Sequence, residues 1–99
     1  MIDGTYAIQM RLPDAVHGGY AVLSASGDVV TATFTLDQVG GLRQKGRCTG
    51  NEFSLAGQVN LYLFGQVKYR IDGLVAGDAL KATCATDKGT FDIIGSRCA

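Results

Sequence analysis

Gly27-Asp28-Val29-Val30-Thr31-Ala32-Thr33 returns as Gly77-Asp78-Ala79-Leu80-Lys81-Ala82-Thr83, an offset of 50 that also relates Asp37 to Asp87, Arg47 to Arg97 and Cys48 to Cys98. Each copy starts with a Gly-Asp pair and continues into small, β-branched and apolar residues. That pairing is hairpin chemistry: glycine supplies the positive φ of a tight antiparallel turn, and the residues after it suit a strand. The echo implies two repeats, about 1–49 and 50–99, each ending in Arg-Cys and together forming one domain.

Outward from these turns the composition agrees. The chain of 99 residues holds 14 glycines, one proline and no tryptophan. Apolar and polar residues alternate in Phe53, Leu55, Gly57 and Val59 against Glu52, Ser54, Ala56 and Gln58, and again in Val67, Tyr69 and Ile71 against Lys68, Arg70 and Asp72. This period of two belongs to half-buried strands. Extended along the chain it predicts eight strands, near 4–12, 19–26, 28–36, 40–48, 51–60, 66–76, 78–86 and 89–98. Short connections make neighbours antiparallel, and an up-and-down meander of eight strands removes its two edges by closing into a small barrel. The alternative is an open sandwich of two four-stranded sheets.

The inward set read from this alternation includes Tyr6, Ile8, Met10, Tyr20, Val22, Phe34, Leu42, Phe53, Leu55, Val67, Tyr69, Ile71, Leu80, Cys84, Phe91 and Ile93. Eight strands enclose a space that side chains can just fill, so a packed core with a shallow pocket at one mouth is the expectation. Ala21, Leu23, Ala25, Val29, Leu74 and Ile94 are assigned to the outer face. Such apolar outer residues suggest a homodimer or other homo-oligomer.

This plan of Gly-rich hairpins and inward aromatic and branched residues resembles the small streptavidin-like and lipocalin-like (calycin-type) antiparallel β-barrels. The repeated Gly-Asp tip also looks like that of uncharacterised small bacterial β-meander proteins. The resemblance implies a barrel that holds a small molecule at one mouth, and no residue role is carried over from it.

Composition also narrows partners. Lys plus Arg equals Asp plus Glu at 9 each, which disfavours nucleic acid as a partner. Arg43, Lys45 and Arg47, with Lys68 and Arg70, read as solvated strand faces, and Arg47 and Arg97 as strand-end ion pairs with Asp37 or Asp87. No run approaches the roughly 20 apolar residues that span a bilayer, and the first residues do not form a leader, so a cytoplasmic protein off the membrane is expected. Cys48, Cys84 and Cys98 lack metal-ligand spacing and read as free thiols, with a Cys48–Cys98 contact as the alternative. Neither cofactor nor metal is expected.

Three classes of function follow. In the first, a mouth lined by Tyr20, Tyr62, Phe64 and Tyr69 binds a small apolar or aromatic molecule. The run Leu61-Tyr62-Leu63-Phe64 supports it, because four consecutive large apolar residues cannot alternate in and out. The second is a structural or oligomerising module without ligand. The third is a cofactor-free enzyme using His17 with Asp14, where the carboxylate orients the imidazole. Against it, both residues suit a surface loop, and enzyme activity is left open with the weight against it.

Overall fold

The computed structural model describes residues 2–13, 15–37, 40–61 and 65–98. It contains strands β1 (Gly4–Arg11), β2 (Val16–Ser26), β3 (Val29–Leu36), β4 (Gly40–Thr49), β5 (Glu52–Leu61), β6 (Gly65–Ala76), β7 (Ala79–Thr86) and β8 (Gly89–Arg97). Each pairs antiparallel with the next, and β8 returns to β1 from Tyr6↔Arg97 to Met10↔Ile93, so the meander closes into a barrel. Among the described residues no helix is long and apolar enough to cross a membrane.

The turns at Gly27-Asp28, Gly50-Asn51 and Gly77-Asp78 lie at one end, here the tip end, with both chain termini. Their glycines take φ of 64°, 60° and 62°, the left-handed values that a two-residue hairpin needs and side chains resist. The β1–β2, β3–β4, β5–β6 and β7–β8 connections lie at the opposite, open end.

In parts of the interior, small residues sit beside large ones along the paired rows. One row runs Tyr6↔Ala21↔Phe34 and the next Ile8↔Gly19↔Leu36. A third sets Gly73 between Phe53 and Ala82. A Cβ on Gly73 would stand 2.2 Å from the Phe53 ring, and one on Gly19 would stand 1.8 Å from the Thr35 carbonyl oxygen. Inward glycine thus lets strands bend sharply and leaves room for the neighbouring aromatic, a pattern that closed barrels require repeatedly around their circumference.

This packing overturns the expected orientation of β2. Ala21 and Leu23 are buried, whereas Tyr20 is 57% exposed and Val22 is also on the outer face. Both faces of β2 are apolar, so alternation alone does not choose between them. The row does: between Tyr6 and Phe34 there is room for alanine and not for a third aromatic. β2 also begins at Val16, three residues before the expected start, which draws His17 out of the loop and onto the strand.

A second difference separates the Arg-Cys pairs. The β3–β4 hairpin has three residues between paired Leu36 and Gly40, the β7–β8 hairpin two between Thr86 and Gly89. Val29 therefore faces Arg47, but Ala79 faces Ser96. One residue of register turns a side chain to the other face: Cys48 is buried and Cys98 exposed, and the Arg97 side chain is 25% exposed where that of Arg47 is 87%. Their ion-pair partners are Asp28 for Arg47 at 3.9 Å and Asp78 for Arg97 at 3.5 Å, rather than Asp37 and Asp87. All three cysteines are free thiols.

The tightness of the β2–β3 row is testable at adjacent glycines. A Cβ on Gly18 meets only the Ile8 carbonyl oxygen at 3.9 Å. Gly19→Ala is expected to cost about 2–3 kcal/mol and Gly18→Ala under about 1 kcal/mol in urea unfolding; equal effects would mean that β2 is not held against β3 as described.

Candidate ligand-binding site

The two ends of the barrel differ. At the tip end the chain folds over its own interior: Ile2 is buried, and the Tyr6 hydroxyl donates to its carbonyl at 2.7 Å. The Asp3 carboxylate accepts from the Ala25 amide at 2.6 Å. Arg97 lies over the Tyr6 ring, 4.9 Å from its centroid, and donates to the Asp3 carbonyl. Burial raises the Tyr6 pKa, partly offset by Arg97 and reinforced by Asp3 and Asp78. This end is closed by packing, a cation over an aromatic ring, and hydrogen bonds.

At the open end lies a cavity of about 220 Å³. Met10 of β1, Phe34 and Leu36 of β3, Leu42 of β4, Val59 of β5, Val67, Tyr69 and Ile71 of β6, Cys84 of β7 and Phe91 and Ile93 of β8 contribute its walls, with Leu12, Pro13, Thr86 and Lys88 at the rim. The wall residues are inward positions of their strands. Among the described lining residues Lys88 is the one with a charged side chain.

Two inward residues of this lining, Tyr69 and Cys84, carry polar groups. The Tyr69 hydroxyl donates to the Gln44 side-chain oxygen at 3.4 Å, and burial, followed by the neighbouring Cys84, raises its pKa. Burial pushes the Cys84 thiol up to about 11, so it stays protonated at neutral pH. The Thr86 hydroxyl is already engaged, donating to the Gly89 carbonyl at 2.8 Å and accepting from the Lys88 amide at 3.0 Å.

Of the residues expected at a site, Tyr69 lines the cavity and Tyr20 does not, being on the outer face. Tyr62, Phe64 and Asp14 lie outside the described residues; the strands that Tyr62 and Phe64 connect end at this mouth. His17 is only 6% exposed, not a surface-loop residue, and its Nδ1 stands 3.0 Å from the Asp37 carbonyl oxygen. A carbonyl only accepts, so this contact places a proton on Nδ1. His17 is not among the residues that line the cavity. Met10, Phe34, Leu42 and Phe91 were not singled out from sequence as site residues, since an inward apolar residue reads as core until the filling of each level is known; Gln44 was not either, and it reaches the site through Tyr69 without being among the lining residues. Among the described residues no three His, Cys, Asp or Glu side chains gather as a metal site.

No protein-family model and no curated protein matches the sequence. Solved structures similar to the chain include designed barrels. A redesigned β-barrel, mFAP1, bound to DFHBI superposes with a TM-score of 0.67 at 15% identity, covering 97% of this chain and 94% of that one. A second redesigned β-barrel gives 0.64 at 15% identity over 99% and 92%. A de novo designed fluorescence-activating β-barrel gives 0.60 at 11% identity over 97% and 93%. At these identities the likeness establishes a shared fold.

The buried thiol makes stability pH-dependent. Because Cys84 rises from 9.0 to about 11 on folding, the folded protein keeps a proton that the unfolded chain releases. Stability is full below about pH 9 and falls as pH rises toward 11, by an amount on the order of 2 kcal/mol. The raised Tyr6 and Tyr69 act in the same direction at still higher pH. Urea unfolding between pH 8 and 10.5 is expected to show this decline, and Cys84→Ala to flatten it; parallel curves would assign the decline to other groups.

Proposed function

We propose that this barrel is a binding module for a small apolar or aromatic molecule, held at its open end. The observation that carries the reading is the contrast between the ends: an apolar cavity of about 220 Å³ opens at one mouth, whereas the opposite end has a packed interior and, between β4, β5 and β6, a more polar groove beside Arg47, Cys48, Glu52 and Asp72. A dry apolar cavity of about 150 Å³ suffices for benzene, and burial of a ligand among Met10, Phe34, Val67 and Ile93 supplies the driving force. Tyr69 contributes the polar contact, and Tyr62 and Phe64 stay in the proposal as residues of the β5–β6 connection. The redesigned barrel bound to DFHBI supports the reading to the extent that a barrel of this fold accommodates a small molecule.

Naphthalene is a suitable probe. It is expected to raise the melting temperature of the wild-type protein. Leu42→Trp, which fills the mouth from β4, is expected to abolish that rise. No shift in the wild-type protein, or an equal shift in Leu42→Trp, would count against the site.

A second reading, compatible with the first, rests on the outer face of β8, β1, β2 and β3. Val16, Tyr20, Val22, Val29 and Ile94 are exposed there, on strands that are neighbours in the sheet. Ala7 pairs with Tyr20, and Thr33 with Val22. Among the described residues of these strands the outward charges are Arg11 and Asp92. Such a face suits a homodimer. Light scattering is expected to give twice the chain mass, reverting to one chain mass in Tyr20→Lys; a wild-type monomer at high micromolar concentration would refute the dimer.

A further inference from the structure

Seven of the eight strand contacts are laddered over most of their length or close the barrel, but β4 and β5 pair only at Arg47↔Ser54, Cys48↔Phe53 and Thr49↔Glu52. Beyond that level each is bonded on its other side alone. Gln44 and Leu42 pair with Ala32 and Phe34 of β3, while Gly57 and Val59 pair with Tyr69 and Val67 of β6. The barrel wall therefore has a seam from mid-height to the open mouth. Leu42 on one side of it and Val59 on the other both line the cavity.

A side-chain hydrogen bond spans this seam, from the Tyr69 hydroxyl on β6, past β5, to Gln44 on β4. Gly57 is what lets it form. A Cβ on Gly57 would stand 2.7 Å from the Gln44 side-chain oxygen and 3.1 Å from the Tyr69 hydroxyl. At 3.4 Å the bond is long for a hydroxyl donor, whose ordinary distance is about 2.7–2.8 Å. Tyr69 is thus a buried hydroxyl with a weakly held partner, standing in an apolar wall. The other cavity hydroxyl, on Thr86, is committed to its own turn.

We infer that Tyr69 and Gln44 are the polar anchor of the site, and that they select an uncharged aromatic molecule carrying one hydrogen-bonding group, of the phenol class, over a hydrocarbon of the same shape. This inference rests on the binding reading above. A ligand hydroxyl set between the two groups takes a normal hydrogen bond in place of the long one, with its ring between Phe34, Val67 and Ile93. Charge is disfavoured inside the cavity, because its described lining is apolar apart from a few polar groups and its one described cation, Lys88, belongs to the exposed β7–β8 turn at the rim. A wholly apolar pocket would show the opposite preference, since it would strip a phenol of its water and give no partner in return.

The test compares 2-naphthol with naphthalene at pH 7 by titration calorimetry, on wild-type protein, Tyr69→Phe and Gln44→Ala. The wild type is expected to bind 2-naphthol about fivefold to tenfold more tightly than naphthalene, the worth of one net hydrogen bond. Tyr69→Phe is expected to bring that ratio to one or below, and Gln44→Ala to reduce it. Equal affinities in the wild type, or a ratio unchanged in Tyr69→Phe, would overturn the anchor and leave the binding reading standing. Absence of binding by both probes would overturn the binding reading and the anchor with it.

Discussion

Closing eight strands on themselves leaves an interior a few side chains wide, so what one strand projects inward sets what its neighbours can. Tyr6 and Phe34 flank Ala21; Ile8 and Leu36 flank Gly19; Phe53 occupies the space that Gly73 vacates. This alternation determines which face of β2 is buried, how sharply the strands bend and where the interior stays unfilled. At the tip end the large residues interlock with Ile2 and the Arg97–Tyr6 stack. At the open end Phe34, Phe91, Met10 and Tyr69 are among the described residues that line a cavity of about 220 Å³.

The repeated sequence is used asymmetrically. Asp28 and Asp78 occupy equivalent tips and each meets the arginine at the same offset. A β7–β8 hairpin one residue shorter turns Arg97 toward the interior, where it lies over Tyr6, whereas Arg47 remains in solvent. The Arg47–Asp28 pair, between two highly exposed groups, adds little to stability. Arg97 instead joins the N-terminal segment to the last strand, and its residue type is the same as at Arg47. Register, rather than identity, separates the two roles.

Much of the fold was legible. Period-two alternation in β5 and β6 and the Gly-Asp tips gave strand number and antiparallel order, because each is a local property of a few residues, while closure followed from the need of a meander to remove its two edges. The orientation of β2 was not legible, since Tyr20-Ala21-Val22-Leu23 offers apolar residues to both faces and the choice depends on Tyr6 and Phe34 from other strands. The same holds for His17, which joined β2 once the strand began at Val16. At the site, Tyr69 was readable as an inward tyrosine whose hydroxyl needs a partner. Gln44 was not, because its place beside Tyr69 depends on Gly57 and on the end of the β4–β5 ladder at Ser54.

If the open end is where this barrel receives its ligand, isotope-filtered nuclear Overhauser spectroscopy of the labelled protein with unlabelled 2-naphthol will show it. Contacts are expected from the probe protons to the methyl groups of Met10, Val67 and Ile93 and to the rings of Phe34 and Tyr69, and none to Val30, Leu80 or Val75 of the packed interior. Contacts confined to Tyr20, Val22 and Ile94 on the outer face would contradict it.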